Sequence, residues 1–373
     1  MGAHCSRDYT GGVSFRIRTM QKFSIIIPVY NGGVAWWCCL EALLRLDPAP
    51  YEIIAVDDGS TDGSQNVPTT RGVRALKTPA PRSGPAVARN LGAMQAHGEI
   101  LWFVDSDVVV QADALSRLDD AFRDPELAAV FGSYDDAPGA SNFLSQYRNL
   151  LHHYVHQNSP TDTTSFWAGC GAIRANVFER AGGFCDSYAR PSIEDIELGY
   201  RLRRMNCRVR LDKDLQVKHL KRWTFKGMLR TDIRDRAIPW AELLAQEREL
   251  PRDLNLRVSH RISALLCWLG IALLALLALA PQVGWLLVPL VAALVLLNYD
   301  LYRFFLRRHG VGFMLGAMAL HWLYYLYSSA AFAFVLARCT TRRFAPLFAW
   351  LPNKFPSPSY KPLERDKGRD ATV

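Results

Sequence analysis

The sequence predicts an α/β domain, a mostly parallel central sheet flanked by helices, followed by helices that cross a membrane. Three observations carry this. Short apolar runs alternate with segments whose apolar residues recur at helical spacing. Three acidic clusters hang on predicted strand or helix ends: Val56-Asp57-Asp58-Gly59-Ser60-Thr61-Asp62, Asp105-Ser106-Asp107 and Glu194-Asp195. Beyond Arg261, residues 262–299 hold no charged side chain and residues 310–337 hold only His321 among Asp, Glu, Lys, Arg and His. A chain of 373 residues with net charge +9 and 50% hydrophobic residues divides naturally into one globular domain and a further segment.

Residues 1–21 read as a flexible extension, with Met20 as an alternative start. No secretory signal is present, and Met1-Gly2 with Ser6 fits only the minimal myristoylation pattern. Residues 23–29 form an apolar run ending at Pro28-Val29-Tyr30-Asn31-Gly32-Gly33, and residues 34–46 carry helical spacing, which gives strand, turn, helix. The alternation recurs: strands at 51–56 and 73–76, a helix at 86–96, a strand at 100–104. Buried strands separated by helices imply a parallel sheet, whose ligands bind outside the carboxyl ends of the strands. Tyr30, Asp58 and Asp107 all fall at such ends. Next come a helix at 113–122, a strand at 128–131 and an amphipathic helix at 143–156. An extended segment follows at 165–174 around Gly169-Cys170-Gly171, then helices at 176–181 and 193–205 and a strand or strand pair at 209–218. Eight cysteines without a C-x-x-C pair suit a reducing compartment and argue against a disulfide frame or zinc site.

The domain boundary is expected at 225. Residues 226–256 form an amphipathic interface segment, 257–337 a membrane region of two to three transmembrane helices, and 338–373 a basic, Pro-containing tail. Candidate spans are 262–280, 283 to about 306, and 311–337. Arg252, Arg257 and Arg261 precede the first, and Arg303, Arg307 and Arg308 lie between the second and third, whereas the link at 281–284 is uncharged. The positive-inside rule places the large domain in the cytoplasm of a multi-pass inner-membrane protein. Arg338, Arg342 and Arg343 break the rule if the third segment crosses fully, so a re-entrant third segment is the alternative.

Two carboxylates one residue apart, at the end of the apolar Leu101-Trp102-Phe103-Val104 run, suit a divalent cation held against a diphosphate. The ordered set Pro28-Val29-Tyr30-Asn31, Val56 to Asp62, Ala88-Arg89-Asn90, Asp105-Ser106-Asp107, Gly182-Gly183-Phe184, Glu194-Asp195 and His219-Leu220-Lys221-Arg222-Trp223 resembles glycosyltransferase family 2 over residues 22–225. These are inverting enzymes of the GT-A nucleotide-diphospho-sugar fold. The resemblance implies that Pro28, Tyr30 and Asp58 line the nucleoside pocket, and that Asn90 and the Arg82-Ser83-Gly84 loop lie near the diphosphate. It implies Asp107 as the metal ligand for Mn2+ or Mg2+, with Asp105 on the ribose or the cation's waters. Asp195 takes the place of the catalytic base, although Ser192 three residues before it also fits a helix capping box. His219 stands where processive synthases have Gln, which speaks against a polymerase; it is a further candidate for the metal, and Arg222 for the phosphates. Arg89 is equally compatible with an exposed helix position.

These readings lead to an inverting transfer from a nucleotide-sugar donor, most simply a UDP-sugar, to a hydroxyl of a membrane lipid or lipid-linked glycan acceptor. A retained Glu-Asp pair favours a hydroxyl, because an anionic phosphate acceptor needs no base. The bilayer is the expected partner, and no nucleic acid is. A polyprenyl-phosphate glycosyltransferase and a catalytically inactive membrane scaffold are the alternatives. A nucleotidyltransferase is disfavoured, since Asn31-Gly32-Gly33 lacks the basic residue of a phosphate cradle.

Overall fold

The structure is a computed structural model that describes residues 22–47, 51–67, 72–188, 190–246 and 258–344. The N-terminal extension with Met20, Arg252, Arg257, the tail from residue 345, and the side chains of Arg342 and Arg343 lie outside the described residues.

Eight strands form one sheet: β1 (Phe23–Val29), β2 (Tyr51–Asp57), β3 (Val73–Lys77), β4 (Ile100–Val104), β5 (Val108–Val110), β6 (Leu127–Tyr134), β7 (Cys170–Arg174) and β8 (Arg208–His219), in the order β3-β2-β1-β4-β7-β6-β8-β5. The first four are mutually parallel, and β6 runs parallel to β8. The sheet is nevertheless mixed, because β7 runs antiparallel to both β4 and β6, and β5 antiparallel to β8. Sequence periodicity foresees buried strands but not their direction. It also misses β5, three valines directly behind Asp107 that are too short to stand out as a separate run.

Side chains alternate across the pleat, so neighbouring residues of one strand build two cores. Ile25, Ile27, Trp102 and Val104 face helices α1 (Gly33–Leu43) and α3 (Ala114–Ala121), which contribute Trp36, Leu40, Leu115 and Leu118. Ile26, Ile54, Leu101 and Phe103 face helices α2 (Pro85–Met94), α5 (Ala175–Ala181) and α6 (Glu194–Arg204), through Ala88, Ala93, Phe178, Leu198 and Leu202. Helix α4 (Phe143–Gln157) packs on β6.

After β8 the chain passes through α7 (Phe225–Arg230), a π-helix (Thr231–Ala237) and α8 (Ile238–Gln246). Among the described residues two helices are long and apolar enough to cross a membrane: α9 (Val258–Leu276) and a segment within the last helix, Tyr299–Cys339. The second expected span is broken. It comprises a 3-10 turn at Pro281–Leu286, α10 (Leu287–Leu297) and the start of α11 (Tyr299–Phe344), with Asn298 outside both helices. The Asn298 amide is fully used: Nδ2 donates to Ser263 Oγ at 3.0 Å and Oδ1 accepts from Tyr325 Oη at 2.7 Å. Gly310, at φ 81°, breaks α11 in a conformation that favours glycine. Helix α11 is also tied to the sheet domain, through an Arg308–Asp136 ion pair and Phe313 edge-on to Phe143.

Gly132 marks a register shift between β6 and β8, and a Cβ there would lie 2.0 Å from the Leu215 carbonyl oxygen. Because backbone rather than a flexible side chain would have to yield, Gly132→Ala is expected to cost about 1–3 kcal/mol. Chemical denaturation should read this as a lowered midpoint; an unchanged midpoint would contradict the close approach.

Candidate active site

A cavity of about 1590 Å³ opens along the carboxyl ends of β1, β2 and β4. Pro28, Tyr30, Asp58, Arg82, Gly84 and Pro85 line one end. The turns here are wired to each other. Asn31 adopts φ 47°, its N–H donates to Ser60 Oγ at 3.0 Å, and its Oδ1 accepts from the Thr61 N–H at 2.8 Å. Asp57 Oδ1 accepts the Ser60 N–H at 2.9 Å. Asp58 is nearly buried and holds the next loop: Oδ1 accepts from Thr78 Oγ1 and the Ser83 N–H, both at 2.8 Å, and Oδ2 from the Gly84 N–H at 2.9 Å. Asp58 therefore shapes the Arg82-Ser83-Gly84 loop as well as lining the cavity. Arg82, at φ 59°, donates through Nε to Tyr30 Oη at 2.7 Å.

The middle of the cavity is organised by Arg89. Its guanidinium is buried; Nη2 meets Asp105 Oδ1 at 2.7 Å and Nη1 meets Glu194 Oε1 at 2.9 Å. Burial disfavours this charge, but Asp105 and Glu194 outweigh it and hold the guanidinium firmly protonated. Helical spacing contained the signal: Arg89 lies three residues after Ala86 and four before Ala93, on the buried face of α2. Two residues on, Asp107 Oδ2 lies 3.6 Å from His219 Nε2. Sheet register makes this pair, since Val108 sits opposite His219 and the Leu220 N–H donates to the Asp107 carbonyl at 2.8 Å. The His219 ring stacks on Tyr134 with centroids 4.3 Å apart. Burial pushes the Asp107 carboxyl up, but the His219 hydrogen bond and charge, with help from Lys221, bring it below its ordinary range.

Asp195 lies in the first turn of α6, beside Glu194. Its Oδ2 accepts the Ala168 N–H at 3.2 Å and its Oδ1 the Ile196 N–H at 2.8 Å. Burial and the neighbouring Glu194 charge raise its carboxyl to about 7, against the pull of Arg89 and the two backbone donors. The capping box does not form: the Ser192 hydroxyl donates instead to the Asp235 carbonyl oxygen at 2.5 Å, and α6 has no side-chain cap.

The structure thus brings Pro28, Tyr30, Asp58, Asp105, Asp107, Asp195 and His219 to one cavity. Asn90 and Arg222 are not among the residues lining it. Both ends of the Asn90 amide are spent on the Phe184 backbone, at 2.8 and 2.9 Å, where they fasten α2 to the Gly182-Gly183-Phe184 turn. Arg222 is exposed, and its neighbour Lys221 lines the cavity instead. Lys221, Glu194, Tyr134 and Trp167 are site residues that the sequence reading missed or left without a role.

A divalent cation fits this donor set. Asp107 would supply a carboxylate oxygen and His219 an imidazole nitrogen, and among the described residues no cluster of three or more His, Cys, Asp or Glu surrounds them. Mg2+ and Mn2+ ordinarily take few protein ligands and complete their shell with phosphate oxygens and water, which two donors at a cavity wall allow.

Residues 24–182 match the family model described as Glycosyl transferase family 2. The chain is 34% identical over 119 residues to Glycosyltransferase GlyG of Streptococcus pneumoniae, covering 31% of this chain and 39% of that one. It is 24% identical over 238 residues to the O-antigen chain rhamnosyltransferase WbaN of Salmonella anatum, covering 60% of this chain and 75% of that one. The chain spans well under two thirds of the length of GlyG. A mannosyltransferase from Pyrobaculum calidifontis, solved with GDP-Man and Mn2+, superposes with a TM-score of 0.59 over 85% of this chain and 88% of that one; at 19% identity the likeness is one of fold. Motif order, a mixed GT-A sheet and these matches agree, and residues 24–182 form a glycosyltransferase family 2 domain.

Proposed function

We propose that this protein is an inverting glycosyltransferase. It moves a sugar from a nucleotide-diphospho-sugar, most simply a UDP-sugar, to a hydroxyl of a lipid or lipid-linked glycan at the cytoplasmic face of the inner membrane. The observation that carries the reading is Asp195: a carboxyl raised to about 7, in the same cavity as Pro28, Tyr30 and Asp58 and as the Asp107–His219 pair. A base with that affinity for protons accepts one from a hydroxyl near neutral pH, which an ordinary carboxylate does poorly.

In this reading Pro28, Tyr30 and Asp58 bound the nucleoside, and Asp105 faces the ribose side. Asp107 and His219 would hold Mn2+ or Mg2+, whose charge, when bound, favours departure of the diphosphate. Lys221 takes the phosphate-facing role expected of Arg222. Asp195 removes the acceptor proton as the hydroxyl oxygen bonds the anomeric carbon from the face opposite the diphosphate. The bond from that carbon to the diphosphate oxygen breaks, and its electrons leave with the nucleoside diphosphate.

The membrane acceptor rests on the far wall of the cavity, formed by Leu265 and Trp268 of α9, Leu296 and Leu297 of α10, and Phe332 of α11. One continuous space between a donor end and an apolar helical wall suits an acceptor whose sugar or hydroxyl is carried on a lipid tail. Arg338 of α11 pairs with Glu242 of α8. That pairing supports a third hydrophobic segment that does not carry Arg338 to the opposite side, which removes the conflict with the positive-inside rule.

Two results test the reading. With UDP-, GDP- and dTDP-sugars and Mn2+, the purified full-length protein should turn over at least one donor, and Asp107→Ala should lower that rate by about 100-fold or more, on the scale of several kcal/mol of charge stabilisation. No turnover across the panel, or an active Asp107→Ala, would overturn it. The base must be ionised, so kcat/KM should rise with pH through about 7 and flatten above it. An acid limb near pH 4 would show that Asp195 is not the titrating base.

A further inference from the structure

The π-helix Thr231–Ala237 lies outside the matched family region and takes no part in the chemistry above, yet it touches both the Asp195 loop and α11. A π-turn is a rare conformation that recurs at functional positions. Its sequence explains what it offers. In an α-helix the Asp235 carbonyl would accept from the N–H four residues on, but residue 239 is proline and has none. The Ser192 hydroxyl donates to that carbonyl oxygen at 2.5 Å. Ser192 is three residues before Asp195, and its own N–H donates to Glu194 Oε2 at 2.8 Å. One residue thereby joins the π-helix to the carboxylate that Arg89 holds.

The opposite side of the π-helix is anchored as firmly. Asp232 is 4% exposed and its Oδ2 accepts from Arg148 Nη1 of α4 at 2.7 Å and from the Tyr327 hydroxyl of α11. Beyond it, Trp240 Nε1 donates to Tyr200 Oη of α6 at 3.2 Å. The segment is therefore a strap with one end on the helix that carries Asp195 and the other on α11.

Resting on the assignment of Asp195 as the base, we infer that Ser192 is a positioning residue for it, and that Tyr327, through Asp232 and the π-helix, makes that positioning depend on the docking of α11. The strap couples the apolar helices to the catalytic loop. When α11 leaves Asp232, the Asp235 carbonyl moves, Ser192 loses its acceptor, and the start of α6 loosens around Asp195. Nucleotide binding at the Pro28, Tyr30 and Asp58 end is untouched, because no link of the strap reaches it.

Full-length protein in phosphatidylcholine nanodiscs tests this with Ser192→Ala, Ser192→Thr, Tyr327→Phe and the Ser192→Ala/Tyr327→Phe pair. Hydrogen exchange of peptides covering residues 190–196 should accelerate by about tenfold in Ser192→Ala and in Tyr327→Phe, the scale of one lost buried hydrogen bond. The pair should be no faster than either single variant, and Ser192→Thr, which keeps the hydroxyl, should match wild type. On the nucleotide-sugar that wild type turns over, kcat should fall about tenfold in both single variants while donor KM stays constant. Unchanged exchange at 190–196 in Tyr327→Phe, or additive effects in the pair, would overturn the coupling. A changed donor KM with unchanged kcat would overturn the positioning role. If wild type turns over no donor, the exchange measurement still decides whether the strap exists, while the functional reading fails separately.

Discussion

One buried cation holds the active centre together. Arg89 is buried beside the Phe184 ring, and it stays charged because Asp105 and Glu194 each contribute a carboxylate. Neither partner is dispensable, since a buried ion stripped of one partner costs about 3–5 kcal/mol. The triad fixes three pieces of chain that are far apart in sequence: α2, the turn after β4 and the start of α6. Asp107 and Asp195 each follow one of its carboxylates, by two residues and by one. The distance between Asp107 and the proposed base is therefore set by a salt bridge in which neither takes part.

The same arrangement separates the chemistry of chemically identical groups. Asp107 is held below the ordinary carboxylate range by His219 and Lys221 and stays an anion that can face a cation. Asp195 is pushed up to about 7, by burial first and then by the charge of Glu194 beside it. Two carboxyls with separated proton affinities in one cavity are what a metal-assisted transfer with a base requires. Ser192 and the π-helix then connect the start of α6, with Asp195, to the apolar helix α11.

Much of this was legible in the sequence, and the rest failed for identifiable reasons. The parallel half of the sheet and its acidic ends were readable because each buried strand is a continuous apolar run stopped by a polar turn. β7 was readable as extended but not as antiparallel, since direction is fixed by chain return rather than by pattern. Asp58, Asp107 and Asp195 reach the cavity because they stand at the ends of rigid elements. Asn90 does not, because an amide next to a tight turn finds backbone partners first, and Arg222 does not, because it lies past the end of β8, where no sheet register fixes which way a side chain points. Arg89 was ambiguous for a physical reason: a charged residue on the apolar face of a helix becomes intelligible only once its two partners, 16 and 105 residues away, are known. The break at Asn298 inside an apolar run was hidden for the same reason, as Ser263 and Tyr325 come from other helices.

The account stands or falls on Asp195 acting as a base toward a neutral hydroxyl. The direct measurement is single-turnover transfer by Asp195→Asn, with donor binding measured in parallel. The amide preserves shape but cannot take a proton, so transfer should fall by about 100- to 10,000-fold while donor affinity is retained. Near-normal transfer by Asp195→Asn would contradict the account and point to an acceptor oxygen that is already anionic.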